Sequence, residues 1–165
     1  MRLVLTMNIE IARKSDLSDF FIYITRQLAD NGRADFPLFQ PISRQNSTLS
    51  VPARQRFMMG VKTPMGQPGW RLLWLAKDKQ DRIMGHIDIR PYDDDYCEHR
   101  VLLGMGVDSH YRRQGVGRKL IDHVIQYCLY LNKGFNICGE WVDKYRIDGD
   151  SISELSMTIN THKGL

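Results

Sequence analysis

Arg112-Arg113-Gln114-Gly115-Val116-Gly117-Arg118 is the stretch whose residue types and spacing point most directly to chemistry. Two glycines separated by one residue and flanked by cations suit the capture of an anion. The first turn of a helix has backbone N–H groups with no carbonyl one turn back, and the helix dipole adds partial positive charge there. A phosphate is held well at such a point. Glycines at 115 and 117 remove the Cβ atoms that would keep a pyrophosphate off the backbone. Arg112, Arg113, Arg118 and Lys119 add attraction at longer range. The same residues would also serve an ordinary tight connection, so the flanking elements matter.

Upstream, Val101 to Val107 is apolar or glycine throughout, the pattern of a strand covered on both faces. Downstream, Leu120, Ile121, Val124, Ile125, Cys128 and Leu131 recur with a helical period and predict one buried stripe. The turn therefore joins a strand to an amphipathic helix. It lacks the third glycine of the dinucleotide fingerprint and the Gly-Lys-Ser/Thr ending of a P-loop.

With Val107, Tyr111, Arg112, Gly115, Gly117 and Leu120 in register, this strand–turn–helix resembles the acyl-CoA-binding signature of the GNAT superfamily of N-acetyltransferases. The resemblance implies an α/β (α+β) fold, a GNAT-like acyl-CoA N-acyltransferase with a mixed, mostly antiparallel central sheet flanked by helices. It implies acetyl-CoA (CoA) as cofactor and transfer of its acetyl group to a primary amine of a small molecule or protein. Direct attack within a ternary complex is the expected route. Arg112, Arg113, Gln114, Gly115, Val116, Gly117 and Arg118 would hold the pyrophosphate. The backbone of Met105, Gly106 and Val107 would pair with the pantetheine arm like an added strand. A bulge at Gly104-Met105-Gly106 would open the slot for it.

Such a transfer needs a neutral amine, a stabilised oxyanion and a proton for the leaving thiolate. An alkylammonium with a pKa near 10.4 leaves only about one molecule in a thousand as free amine at neutral pH, so a base is useful. His86 and Asp88, on one face of the strand from Arg82 to Arg90, and Glu98 and His99 before Val101 are the candidates. Histidine titrates near neutrality, which favours His99 and His86. The family's usual tyrosine motif for the acid is absent, and Tyr145 is the tyrosine nearest in sequence after the fifth strand. Asp108-Ser109-His110 reads as a triad only in one dimension, and residues so close in sequence are not expected to face one another. The missing motif keeps a second reading open, a non-catalytic acyl-CoA-binding or regulatory module.

Composition bounds the remainder. The chain has 165 residues, 42% hydrophobic and 25% charged, and is expected to form one domain over 1–165. A net charge of +4 suits an anionic cofactor, and no basic run marks a nucleic-acid partner. Cys97, Cys128 and Cys138 show no metal-type spacing and no disulfide framework, so neither a metal nor an oxidising compartment is expected. The opening residues have too short an apolar run for a signal peptide, and no stretch approaches a membrane span. The cytoplasm is the expected location.

The supporting elements follow in order. A strand is predicted from about Met7 to Arg13, then a helix with Leu17, Phe20, Phe21, Ile24 and Leu28 buried, stopping near Asn31-Gly32. Residues 33–69 are broken by proline and glycine and read as a variable, acceptor-side segment containing one helix after Ser50. Trp70 to Ala76 and Arg82 to Arg90 form a hairpin, with Ile83, Ile87 and Ile89 sharing a face. After the long helix a short strand from Phe135 through Ile137 is expected. Residues 143–165 depart from the family pattern and read as an atypical or truncated tail. Without a final hairpin the sheet edge would need cover, which a second copy could supply as a homodimer.

Overall fold

The computed structural model describes residues 6–34, 36–92, 94, 101–130 and 135–159. Four strands form one antiparallel sheet in the order β1 (Asn8–Ile11), β2 (Leu72–Lys77), β3 (Ile83–Pro91) and β4 (Val101–Val107). Between β1 and β2 lie α1 (Leu17–Ala29) and α2 (Val51–Gly60); α3 (Val116–Tyr130) follows β4. A second, two-stranded antiparallel sheet is made by β5 (Phe135–Ile147) and β6 (Asp150–Ile159).

Alternation along the strands divides the core between the two faces of the main sheet. Leu73 and Leu75 of β2 join Leu17, Phe20, Phe21 and Tyr23 of α1 and Phe57 of α2. Trp74 and Ala76 join Ile87 and Ile89 of β3 and Val116, Leu120, Val124 and Cys128 of α3. Each fully buried large apolar side chain contributes about 1.5–3 kcal/mol. The stripe on α3 is narrower than expected, because Ile121 and Ile125 remain 38% and 40% exposed. Ile83 also departs from expectation. The β2–β3 register slips between Ala76 and Lys77, which gives β3 one extra residue and turns Ile83 toward α1.

The segment between α1 and α2 is pinned by buried Asn31. Its Nδ2 donates to Gln40 and Ile42 carbonyls and to Ser47 Oγ, and its Oδ1 accepts from Phe39 and Gln40 N–H. Ser50 caps α2 by accepting from Ala53 N–H, with Pro52 in the first turn as expected. Arg44 then ties the segment to the far hairpin, its N–H donating to Asp148 Oδ2 at 2.8 Å and its guanidinium pairing with Asp150.

The end of the chain corrects the expected short strand and atypical tail. β5 runs thirteen residues, and β6 pairs with it around Asp148-Gly149, both at positive φ (53° and 88°). Two positive φ values in a two-residue loop match the twist of a hairpin. The chain thus supplies its own final hairpin, and no second copy is needed to build it. Cys97, Glu98 and His99 lie outside the described residues.

Candidate active site

β4 is the edge of the four-stranded sheet among the described residues, and β6 approaches it without hydrogen-bonding to it. The pairing with β3 determines which backbone groups face that opening. Asp108 N–H donates to Met84 O at 2.9 Å, which makes those two a hydrogen-bonded pair. Pairs alternate in an antiparallel ladder. His86 with Gly106 and Asp88 with Gly104 are therefore bonded pairs, whereas Met105 and Val107 turn their N–H and C=O away from β3. Gly106, expected to share that role, has its backbone directed toward β3. No bulge interrupts β4 either: its register with β3 is continuous from Val101 to Val107.

The glycines of β4 answer to close packing. A Cβ on Gly104 would lie 2.5 Å from Asp88 Oδ1, and one on Gly106 would lie 2.7 Å from His86 Cε1. Both glycines make room for polar side chains of β3 on the α1 side. Met105 and Val107 point to the opposite side, where they neighbour Gly117.

After β4 the chain makes a short 3-10 turn, Ser109–Tyr111. Asp108, 1% exposed, caps it by accepting from His110 N–H and Nδ1 and also pairs with Arg26 of α1. Burial alone would raise its pKa; these partners more than offset it and hold the carboxyl below its ordinary range. Asp108 and His110 therefore meet, contrary to expectation, because the 3-10 turn folds the chain back within two residues. The result is a turn-capping contact on an exposed histidine. An open cleft of about 660 Å³ lies beside it, lined by Tyr23, Arg26, Arg82, Asp108 and Tyr111 among others.

Arg113 and Gly115 both take positive φ (59° and 84°), and nothing lies within 4 Å of a Cβ built on Gly115. Gly115 O accepts the first α3 hydrogen bond, from Lys119 N–H. The amides of Val116, Gly117 and Arg118 precede that bond and have no carbonyl one turn back. Arg112 is turned away from them. Its Nε donates to Val107 O at 3.1 Å, and its guanidinium stacks over Phe36 and Phe39 of the segment between α1 and α2. Gln114 Nε2 donates to His110 O. Arg118 lies on the solvent side, 3.8 Å from Asp122.

The two described candidates for proton transfer fall on different strands, His86 on β3 and Tyr145 on β5. His99 lies outside the described residues. Tyr145 is on β5 opposite Ile152, with the Lys144 ammonium 5.3 Å from its ring centre. His86 is buried against Phe20 and Tyr23, its Nδ1 3.2 Å from the Tyr23 hydroxyl. Burial, and then the Arg71 charge, push its pKa down to about 4. Tyr23 and Arg71 were not legible as site residues, since one sits within a run of aromatics and the other precedes an apolar strand.

An antiparallel sheet with an open edge strand, a glycine turn and a helix with unpartnered leading amides defines a GNAT-type acyltransferase fold. The family model for the acetyltransferase (GNAT) family matches residues 48–141, more than half of the chain, and the chain belongs to that family. No curated protein matches it. Among solved structures it is similar to a phosphinothricin acetyltransferase of the GNAT superfamily from Sinorhizobium meliloti in complex with AcCoA. The identity there is 16%, with 93% of this chain and 87% of that one covered and a TM-score of 0.64. A GNAT-family acetyltransferase from Streptococcus pneumoniae matches at 16% identity over 92% and 98% of the two chains, with a TM-score of 0.61. A ribosomal-protein-alanine N-acetyltransferase from Brucella melitensis matches at 16% over 91% and 97%, with a TM-score of 0.60. At these identities the likeness is one of fold. No helix among the described residues is long and apolar enough to cross a membrane.

Proposed function

We propose that this protein is a cytoplasmic N-acetyltransferase that passes the acetyl group of acetyl-CoA to a primary amine by direct attack in a ternary complex. The observation that carries the proposal is the corner where the outward backbone groups of Met105 and Val107 meet the free leading amides of α3. The residues fit the cofactor: the space above Gly115 is empty of protein atoms, and no side chain of the turn fills it. When bound, acetyl-CoA supplies an activated acetyl thioester.

In this reading the amides of Val116, Gly117 and Arg118, with Gly115 giving access, hold the pyrophosphate. Arg113, Gln114 and Arg118 rim it, and Arg112 braces the loop through Val107 O. Met105 and Val107 bind the pantetheine arm as strand partners. One of their N–H groups would serve as the donor to the thioester, of the kind worth about 2.7–4 kcal/mol in the transition state. Acetyl-CoA would supply the acetyl group and its thiol the leaving group, so this chain's residues would need only to take the amine's proton and return one to the sulfur. His99 is proposed as the base and Tyr145 as the acid. His86, weakly basic and hydrogen-bonded to Tyr23, is read as positioning β4 rather than as the base.

Calorimetric titration with acetyl-CoA and CoA tests the assignment. Binding at micromolar concentrations is expected, and its absence at high micromolar concentrations overturns it. A second reading, a non-catalytic acyl-CoA-binding module, is supported by the absence of the family's usual tyrosine motif from the sequence. Cofactor binding without amine-dependent thiol release from a broad panel would select it.

A further inference from the structure

The two sheets that flank the proposed pantetheine slot share no backbone ladder among the described residues, since β6 approaches β4 without pairing with it. No ladder therefore fixes the width of the opening. Residues 36–44 touch both of its sides. On the β4 side, Arg112 Nε donates to Val107 O, and the guanidinium lies 4.9 Å from the Phe36 ring centre and 5.9 Å from that of Phe39. On the far side, Ser43 Oγ donates to Asp148 at 3.2 Å and Arg44 N–H donates to Asp148 Oδ2 at 2.8 Å. The Arg44 guanidinium pairs with both Asp148, in the hairpin loop, and Asp150, the first residue of β6.

Exposed ion pairs ordinarily contribute little, because two long side chains must give up freedom to meet. Arg44 is held in place before it reaches the hairpin. Its Nε donates to Gly32 O at 2.6 Å. A Cβ on Gly32 would lie 2.8 Å from Arg44 Nε and 2.9 Å from Leu38 Cδ1, and the φ of 65° there also favours glycine. The guanidinium thus lies against bare backbone with one N–H fixed, and its planar fork presents the others to the two carboxylates. Asp148 is held too, at a φ of 53° beside Gly149.

We propose that Arg44 is a positioning residue for cofactor binding: by clasping Asp148 and Asp150 it holds the terminal hairpin at a set distance from β4 and so fixes the width of the slot for the pantetheine arm. The inference rests on the acyl-CoA reading of that slot. It leaves the phosphate site alone, since that site is built on the amides of α3.

Calorimetry on the full chain with CoA and with ADP separates the two sites, because ADP carries a diphosphate and no arm. Arg44→Glu turns attraction into repulsion at the clasp. CoA should bind that variant at least about fivefold more weakly, the lower end of couplings between separate sites, while ADP affinity stays within about twofold. Adding Asp150→Arg restores an opposite-charge pair and should recover most of the lost CoA affinity. A thermal melt shows whether Arg44→Glu is folded; if it is not, Asp150→Asn reads the same loss in smaller measure. CoA affinity unmoved in a folded variant, CoA and ADP weakened alike, or a loss that Asp150→Arg does not recover overturns the proposal. If the natural chain binds CoA but not ADP, the CoA comparison and its recovery decide alone. A natural chain that binds no CoA defeats the acyl-CoA reading itself, and the slot with it.

Discussion

The hydroxyl of Tyr23, on α1, donates a hydrogen bond to the carbonyl of Gly106, on β4, across 3.1 Å. A phenol has one proton to give. His86 Nδ1, 3.2 Å from the same hydroxyl, must therefore be the protonated ring nitrogen and donate to it. This latch fixes α1 and β3 to the open strand that carries Met105 and Val107.

Tyr23→Phe removes the latch and strands a buried imidazole N–H. The expected cost is about 1–3 kcal/mol, the penalty for a buried donor left unsatisfied. For a chain of this size each kcal/mol lowers Tm by about 2–4 °C. Thermal melts of the two proteins check it, and an unchanged Tm removes the latch from the account.

His86 also gives the fold a pH dependence. Its pKa falls from an ordinary 6.5 to about 4 on folding, so the unfolded chain binds more protons between those values. Stability should be level near neutrality and fall as pH drops from about 6.5 toward 4, by at most about 1.4 kcal/mol per unit from this group. His123, also shifted down by burial, adds to the slope in the same sense. Urea midpoints measured across this window should fall less steeply for His86→Asn than for the natural chain. Parallel slopes would show that His86 does not titrate as described.

Gly115→Asp and Gly115→Asn separate backbone strain from ligand repulsion. Both side chains tolerate positive φ better than most, and both would project into open space. Their melting temperatures should agree closely. Acetyl-CoA affinity should be lost for Asp, whose charge enters the phosphate site, and only weakened for Asn. Equal affinities for both would move the pyrophosphate elsewhere.

Gly117→Ala and Gly104→Ala should have opposite signs. Gly117 lies in the first turn of α3, and a Cβ there meets nothing closer than 3.5 Å. Alanine in place of glycine in a helix is worth about 0.5–1 kcal/mol, so Tm should rise by a few degrees. At Gly104 the added carbon collides with Asp88 at 2.5 Å, and overpacking of this kind costs about 1–3 kcal/mol. Paired melts decide it.

Local signals in the sequence determined a good deal. The apolar run to Val107, the glycine turn and the periodicity from Leu120 defined the strand, the turn and the helix. Proline at 52 after Ser50 marked the start of α2. The Asp148-Gly149 pair was also a hairpin signal, and β6 could have been read from it. These features depend on neighbours within a turn or two, so the sequence carries them directly. What tertiary structure alone decided depends on residues far apart in the chain. Ladder parity with β3 turned Met105 and Val107 outward and Gly106 inward. An extra residue in β3 moved Ile83 to the other face. Tyr23 met Gly106, Arg112 turned onto Phe36 and Phe39, and Arg71 met Asp88. No local pattern encodes these meetings, because each arises when separate elements are packed against one sheet and share its limited buried space.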